Sequence, residues 1–179
     1  MVTKPLMILV DTREKKPLSF PGLYGRNAKS VAVKAADYAF EGLEGIVGIE
    51  RKVGIDELAA CVTRRSGWSR LGSQLRRLCC EYSIPILLTE ASASEIMFGE
   101  PKKSTLSGTE IFRRTLSTCL RFGVTPIFAG GRVAASRIVI TIGDTIWDLK
   151  RRRVREFNAI VAARDRAIAV INIAQSAKD

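Results

Sequence analysis

A chain of 179 residues is long enough for one domain with its own core and too short for two of typical size, and 46% apolar with 26% charged residues is ordinary for a soluble globular protein. Lys and Arg total 29 against 18 Asp and Glu, a net charge of +11 that favours polyanionic partners, and with no apolar stretch near membrane-span length nucleic acid is the better expectation. The absence of histidine excludes Ser-His-Asp and Cys-His nucleophile systems, most zinc sites and a histidine general base, while the 4 cysteines show no CxxC pair and read as small thiols in a reducing, intracellular compartment.

Leu6 to Val10 is a continuous apolar run ended by DTREKKP, the pattern of a buried strand leaving the core. Charge follows that run at once, unlike a signal peptide. GLYGRN supplies turn residues, and SVAVKAADY, Ser30 to Tyr38, then alternates as a strand. EGLEG reads as a hairpin turn into a strand from Ile46 to Lys52. After Gly54, IDELAACV is helical, with Asp56 and Glu57 in the first turn where the helix dipole favours them. RRSGWS interrupts it, and a second helix runs from Ser69 to Tyr82 with Leu71, Leu75, Leu78, Cys79 and Tyr82 on its apolar face. Ile84 to Glu90 is another buried strand, SASEIMFG a short helix and EPKKSTLSG a loop. Ser107 to Phe122 has helical periodicity, and VTPIFAG gives a last short strand. From Arg132 onward Ile138, Ile142, Ile146 and Leu149 recur at three- and four-residue steps, as in a long helix, although RIVITIG is β-branched enough for a strand. KRRRVREF and the alanine-rich tail to Asp179 read as helical. Strands first, then alternating helix and strand, indicate a layered α/β or α+β fold with a mixed sheet.

The segment GIERKVGID, Gly48 to Asp56, carries the chemistry. Strand alternation puts Glu50 and Lys52 on one face and Arg51 on the other. Such a pair is either an ordinary ion pair or a metal ligand beside the group that handles a nucleophilic water. Asp11, Asp37, Glu50 and Asp56 lie at or just beyond the ends of predicted strands. A hard cation such as Mg²⁺ or Mn²⁺ takes oxygen ligands and keeps several waters, so a few converging carboxylates suffice. A metal-activated water assisted by a lysine can attack a phosphodiester without any histidine. From these residues alone a structural ion-pair cluster remains the competing reading.

VDTRE (Val10 to Glu14), ADY (Ala36 to Tyr38) and ERKVGID (Glu50 to Asp56) occur in order, followed by SRLGSQ (Ser69 to Gln74) and IPILLTE. Together they resemble the nuclease domain of the XPF-type structure-specific endonuclease family, from Leu6 to about Glu90 and onward to about Gly130. The resemblance implies a restriction-endonuclease-like α/β fold, a central mixed sheet flanked by helices. The nuclease core would span 1–130, with 131–179 a helical extension packed on the same domain; the family's usual tandem helix-hairpin-helix domain is not read after Gly130, and the basic tail or a partner would replace it. It implies hydrolysis of branched, flap or junction DNA with Mg²⁺ or Mn²⁺. Asp37 and Glu50 would be metal ligands, Asp11 a further carboxylate near the metal, Lys52 the water-handling group, and Asp56 would close the site from the helix start. Arg13, Glu14 and Arg51 would have structural or phosphate-contacting roles, and Arg70 and Gln74 would share the helix face turned to the site. Ala36 stands where the family has Gly, so the backbone there must avoid positive φ. Arg64 and Arg65 beside Trp68, and Arg151, Arg152 and Arg153 in the basic run from Lys150 to Arg155, are further candidates for DNA contact, Trp68 by stacking on an unpaired base. Family nuclease domains pair through helices, so a homodimer using the region after Thr105 is expected, with the Ile138, Ile142, Ile146 and Leu149 stripe. The reading from a different class is a non-catalytic DNA-binding or assembly subunit with a degenerate metal site.

Overall fold

Alternation of apolar residues along a short central strand organises the molecule. The structure, a computed structural model, describes residues 6–20, 28–63, 69–152, 161 and 164. Strands β1 (Ile8–Asp11), β2 (Ala28–Val31), β3 (Tyr38–Phe40), β4 (Val47–Lys52), β5 (Ile84–Thr89) and β6 (Thr125–Phe128) form one mixed sheet in the order β2-β1-β3-β4-β5-β6. β1 pairs parallel to β2 and antiparallel to β3, β3 pairs antiparallel to β4, and β4, β5 and β6 are parallel. The C-terminal ends of β1, β4, β5 and β6 therefore share one edge of the sheet, and β3 starts there.

Helices α1 (Ile55–Val62), α2 (Arg70–Glu81), α3 (Ala93–Met97) and α4 (Gly108–Phe122) cover one face, where Leu58, Leu71, Leu75, Leu78, Leu87 and Ile111 pack. Helix α5 (Arg132–Arg152) covers the other, over Ile8, Tyr38, Phe40, Ile49 and Leu88. All six residues of β4 are buried because helices lie on both sides. Gly48 is required by this packing: a Cβ there would lie 2.3 Å from the Tyr82 ring, which rests on the strand. Gly48→Ala is accordingly expected to destabilise by about 1–3 kcal/mol, the usual cost of overpacking. A denaturation midpoint equal to wild type would contradict that packing.

One sequence expectation changes, and one left open is decided in favour of the expected long helix. The alternating run over residues 30–38 is not one strand. It breaks after Val31 because the Asp11 carboxylate accepts from Val33 N at 2.8 Å and the Arg13 guanidinium donates to Val33 O at 2.9 Å, which draws the backbone out of the ladder. The left-handed residue in this bend is Ala35, at φ 58, not Ala36. The β-branched run Arg137 to Ile142 is helical, inside the 21-residue α5. Burial decides against the β propensity there: Ala135, Val139 and Ile146 fall on the sheet-facing side, and Gly143 lets Phe40 approach closely. Beyond α5, Val161 packs against the same apolar cluster, and Arg164 donates to Cys79 O at 2.6 Å and to Tyr82 O at the end of α2. Among the described residues no helix is long and apolar enough to cross a membrane.

Candidate active site

The alternation that buries Val47 and Ile49 under α5 turns Glu50 and Lys52 to the opposite face, toward α1 and α2. Asp11 at the end of β1 and Asp37 just before β3 fall on that same face and at the same sheet edge. The backbone of Asp37 is fixed between its neighbours, with Asp37 N donating to Ile49 O and Asp37 O accepting from Asp11 N, both at 2.9 Å. A cavity of about 860 Å³ opens on Asp11, Asp37, Glu50 and Gln74, with Arg76 and Arg77 on its α2 wall.

Lys52 Nζ donates to Glu50 Oε1 at 2.6 Å and to Arg51 O at 3.2 Å, and lies 3.6 Å from Glu57 Oε1. Gln74 Nε2, from α2, donates to the same Glu50 oxygen at 2.8 Å. Lys52 is only 3% exposed and Glu50 7%. Burial alone would push the Lys52 ammonium down, but the Glu50 carboxylate beside it, with Glu57, holds it above its ordinary value. Half-buried Asp37 accepts from Arg51 N at 2.7 Å, yet burial and the like charge of Glu50 push its carboxyl up to about 7. Asp11 behaves oppositely. Burial would raise it, but Arg13 Nε at 2.7 Å, with Arg13 N and Val33 N, holds it below the usual carboxylate range.

Among the described residues no group of three or more His, Cys, Asp or Glu stands close enough to be a ready-made metal cage. The donor set nevertheless suits a hard, water-retaining cation. Asp37 and Glu50 open on one cavity and repel each other, and the Gln74 Oε1 amide oxygen is buried without a partner. Asp11 lines the same cavity with both its oxygens engaged by Arg13 and Val33.

The remaining predicted residues separate clearly. Arg51, expected as a candidate DNA contact, is 5% exposed on the α5 face, where it meets Glu90, Glu14 Oε1 at 3.0 Å and Lys16 O at 3.0 Å. Arg132 reaches the same Glu90 at 3.1 Å and Lys16 O at 3.0 Å. This buried network holds the 14–17 turn against the ends of β4 and β5 and leaves Arg51 no free face for a phosphate. Asp56 is exposed, off the cavity wall, and accepts from Lys102 N at 2.7 Å, so it ties the start of α1 to the 99–107 loop. Arg70 is exposed at the start of α2 and does not line the cavity, whereas Gln74, one turn on, does. Arg13 stays 74% exposed while its guanidinium grips Asp11. Arg151 and Arg152 end α5 at the far edge of the sheet, since neighbouring Lys150 donates to the carbonyl of Gly42 in the β3–β4 turn at 2.7 Å. Arg64, Arg65, Trp68 and Arg153 lie outside the described residues. Sequence reasoning missed Glu57 as a neighbour of Lys52, and it missed Lys34, Arg76 and Arg77 on the cavity wall. The signal for the two arginines was their place two and three residues after Gln74.

No protein-family model matches the chain, and none of the curated proteins matches it. Among solved structures it is similar to XPF from Aeropyrum pernix, with a TM-score of 0.60 and 16% identity, covering 86% of this chain and 69% of that one. The same protein in complex with DNA gives a TM-score of 0.59 and 18% identity, over 84% of this chain and 68% of that one. The six-stranded mixed sheet with helices on both faces thus has the fold of XPF from Aeropyrum pernix.

Proposed function

We propose that the protein is a Mg²⁺- or Mn²⁺-dependent DNA endonuclease that hydrolyses phosphodiesters of branched, flap or junction DNA. The observation that carries this reading is the arrangement around one oxygen: Glu50 Oε1 receives both Lys52 and Gln74, while Asp37 faces the same cavity. Asp37 and Glu50 would hold the cation, which supplies Lewis acidity to the attacking water and to the charge growing on the phosphate. Lys52, held as the ammonium, donates from Nζ and so orients a water or phosphate oxygen beside Glu50. The similar Aeropyrum pernix structure solved with DNA supports nucleic acid as the substrate class. The test is incubation of end-labelled flap, four-way junction and linear duplex DNA with the protein in Mg²⁺ or in EDTA. Cleavage of the branched forms in Mg²⁺ alone is expected. Binding without cleavage of any form would favour the assembly-subunit reading, which the lack of a three-ligand cluster among the described residues keeps in view.

The same proposal includes pairing of two copies. On the α5 side an apolar groove of about 280 Å³ is lined by Ile86, Ile138, Thr141, Ile142, Thr145 and Ile146, and Leu149 nearby is 46% exposed. Light scattering is expected to give twice the chain mass, and Ile142→Arg to give the monomer. A wild-type monomer at micromolar concentration would contradict the pairing.

A further inference from the structure

Two arginines on the cavity wall have no task in the hydrolytic arrangement. Leu71, Leu75 and Leu78 put one side of α2 into the core, which turns Gln74, Arg77 and Glu81, spaced at helical steps, toward the cavity. Arg76 lines it as well, and both arginines are exposed. Neither side chain makes an ion pair or hydrogen bond among the described residues. On α4, by contrast, Arg113 and Arg114 are both neutralised by Glu110, at 2.7 and 2.6 Å. Free cations retained beside buried carboxylates call for an anion.

We propose that this face of α2, led by Arg76 and Arg77 with Lys34 across the cavity, grips a DNA phosphate backbone and lays one strand over Asp37 and Glu50. The inference rests on the nuclease reading for what happens at the carboxylates, but not for the binding itself. Gln74 already touches Glu50. Arg77 lies three residues further along, about 4.5 Å along the helix axis. Because Arg77 and Glu50 line one cavity, a phosphate next to one held at Glu50 would lie within reach of the long Arg77 side chain. On the cavity lining Asp11, Glu50 and Glu81 already have cations of their own in Arg13, Lys52 and Lys34, which leaves the charges of Arg76 and Arg77 for an incoming phosphodiester. The other basic groups are less available. Arg13 is committed to Asp11, and Arg151 and Arg152 end α5 at the far sheet edge. Lys34 Nζ is shared with half-buried Glu81 at 2.6 Å, but the lysine side chain is 80% exposed and can turn to a phosphate.

The cavity carries its own reporter. Of the 4 cysteines Cys61, Cys79 and Cys119 are buried, while Cys80 is exposed and lines the cavity one turn beyond Arg76 and Arg77. The full chain, in EDTA so that nothing is cut, is treated with a maleimide with and without a saturating short DNA duplex, with Cys80→Ser as the blank. DNA is expected to slow modification of Cys80 in proportion to occupancy. In parallel, Arg76→Ala/Arg77→Ala should melt like wild type and flatten the log–log salt dependence of DNA binding by about 1.8, that is about 0.9 for each phosphate no longer neutralised. Unchanged labelling under saturating DNA, an unchanged salt slope in the double variant, or a slope reduced instead in Arg151→Ala/Arg152→Ala would each overturn the proposal, as would failure of the wild type to bind DNA. Protection of Cys80 in a protein that never cleaves would leave this surface standing and remove the nuclease reading. Cleavage with Cys80 unprotected would do the reverse.

Discussion

Lys52→Ala is expected to remain folded, to bind DNA, and to lose cleavage by roughly 10³-fold or more, as removal of one member of a cooperating catalytic set does. Two readings of the Glu50–Lys52 pair make opposite forecasts. If the pair were structural only, removing Lys52 would strand a buried carboxylate and cost stability above all. In this site Gln74 Nε2 still donates to Glu50 Oε1, so part of the penalty is relieved. The activity loss should therefore exceed the stability loss by far. Thermal melts run beside cleavage rates decide it: a variant that cuts at the wild-type rate but melts much earlier would identify a structural ion pair.

Arg51→Ala should do the reverse and act on stability. Its side chain is 4% exposed and is held by Glu90 and Glu14, whose side chains are 8% and 12% exposed. Truncation leaves Glu14 without its cation and Glu90 with Arg132 alone, a loss of about 3–5 kcal/mol for a broken buried pair. For a chain of this size that corresponds to a fall in Tm on the order of 10 °C. The double variant Arg51→Ala/Glu90→Gln should recover part of the loss, because the most buried of the stranded charges is then gone. Urea denaturation measures both. If Arg51→Ala kept wild-type stability and instead lost DNA affinity, the residue would be a phosphate contact after all.

The strand ends were legible from local sequence because apolar runs stop abruptly at charge, as in Leu6 to Asp11 and Ile46 to Lys52. Period-two alternation also separated Arg51 from Glu50 and Lys52 correctly. What it could not supply was the partner of Arg51, since Glu90 lies 39 residues away and meets it only across the parallel β4–β5 pair. Asp56 misled for the same reason: its partner Lys102 N lies 46 residues on, and nothing local distinguishes an acid that caps a loop from one that faces a site. The split of the strand over residues 30–38 depends on a carboxylate 22 residues upstream capturing Val33 N. The basic tail drew attention because its charges are consecutive. Arg76 and Arg77 look in sequence like any solvated helix face, and only the fold shows that this face borders the carboxylates.

The central claim is that Glu50, turned out of β4 toward α2, serves a divalent cation in phosphodiester hydrolysis. Glu50→Gln tests it most directly, because the amide keeps the shape of the side chain and removes the negative oxygen ligand. Wild type and Glu50→Gln are compared in single-turnover nicking of a four-way junction in Mg²⁺, with calorimetric titration of Mn²⁺ alongside. The account predicts nicking and Mn²⁺ binding by the wild type, and a folded Glu50→Gln protein that has lost both. Equal nicking by the two proteins, or Mn²⁺ binding unchanged by the substitution, would contradict it.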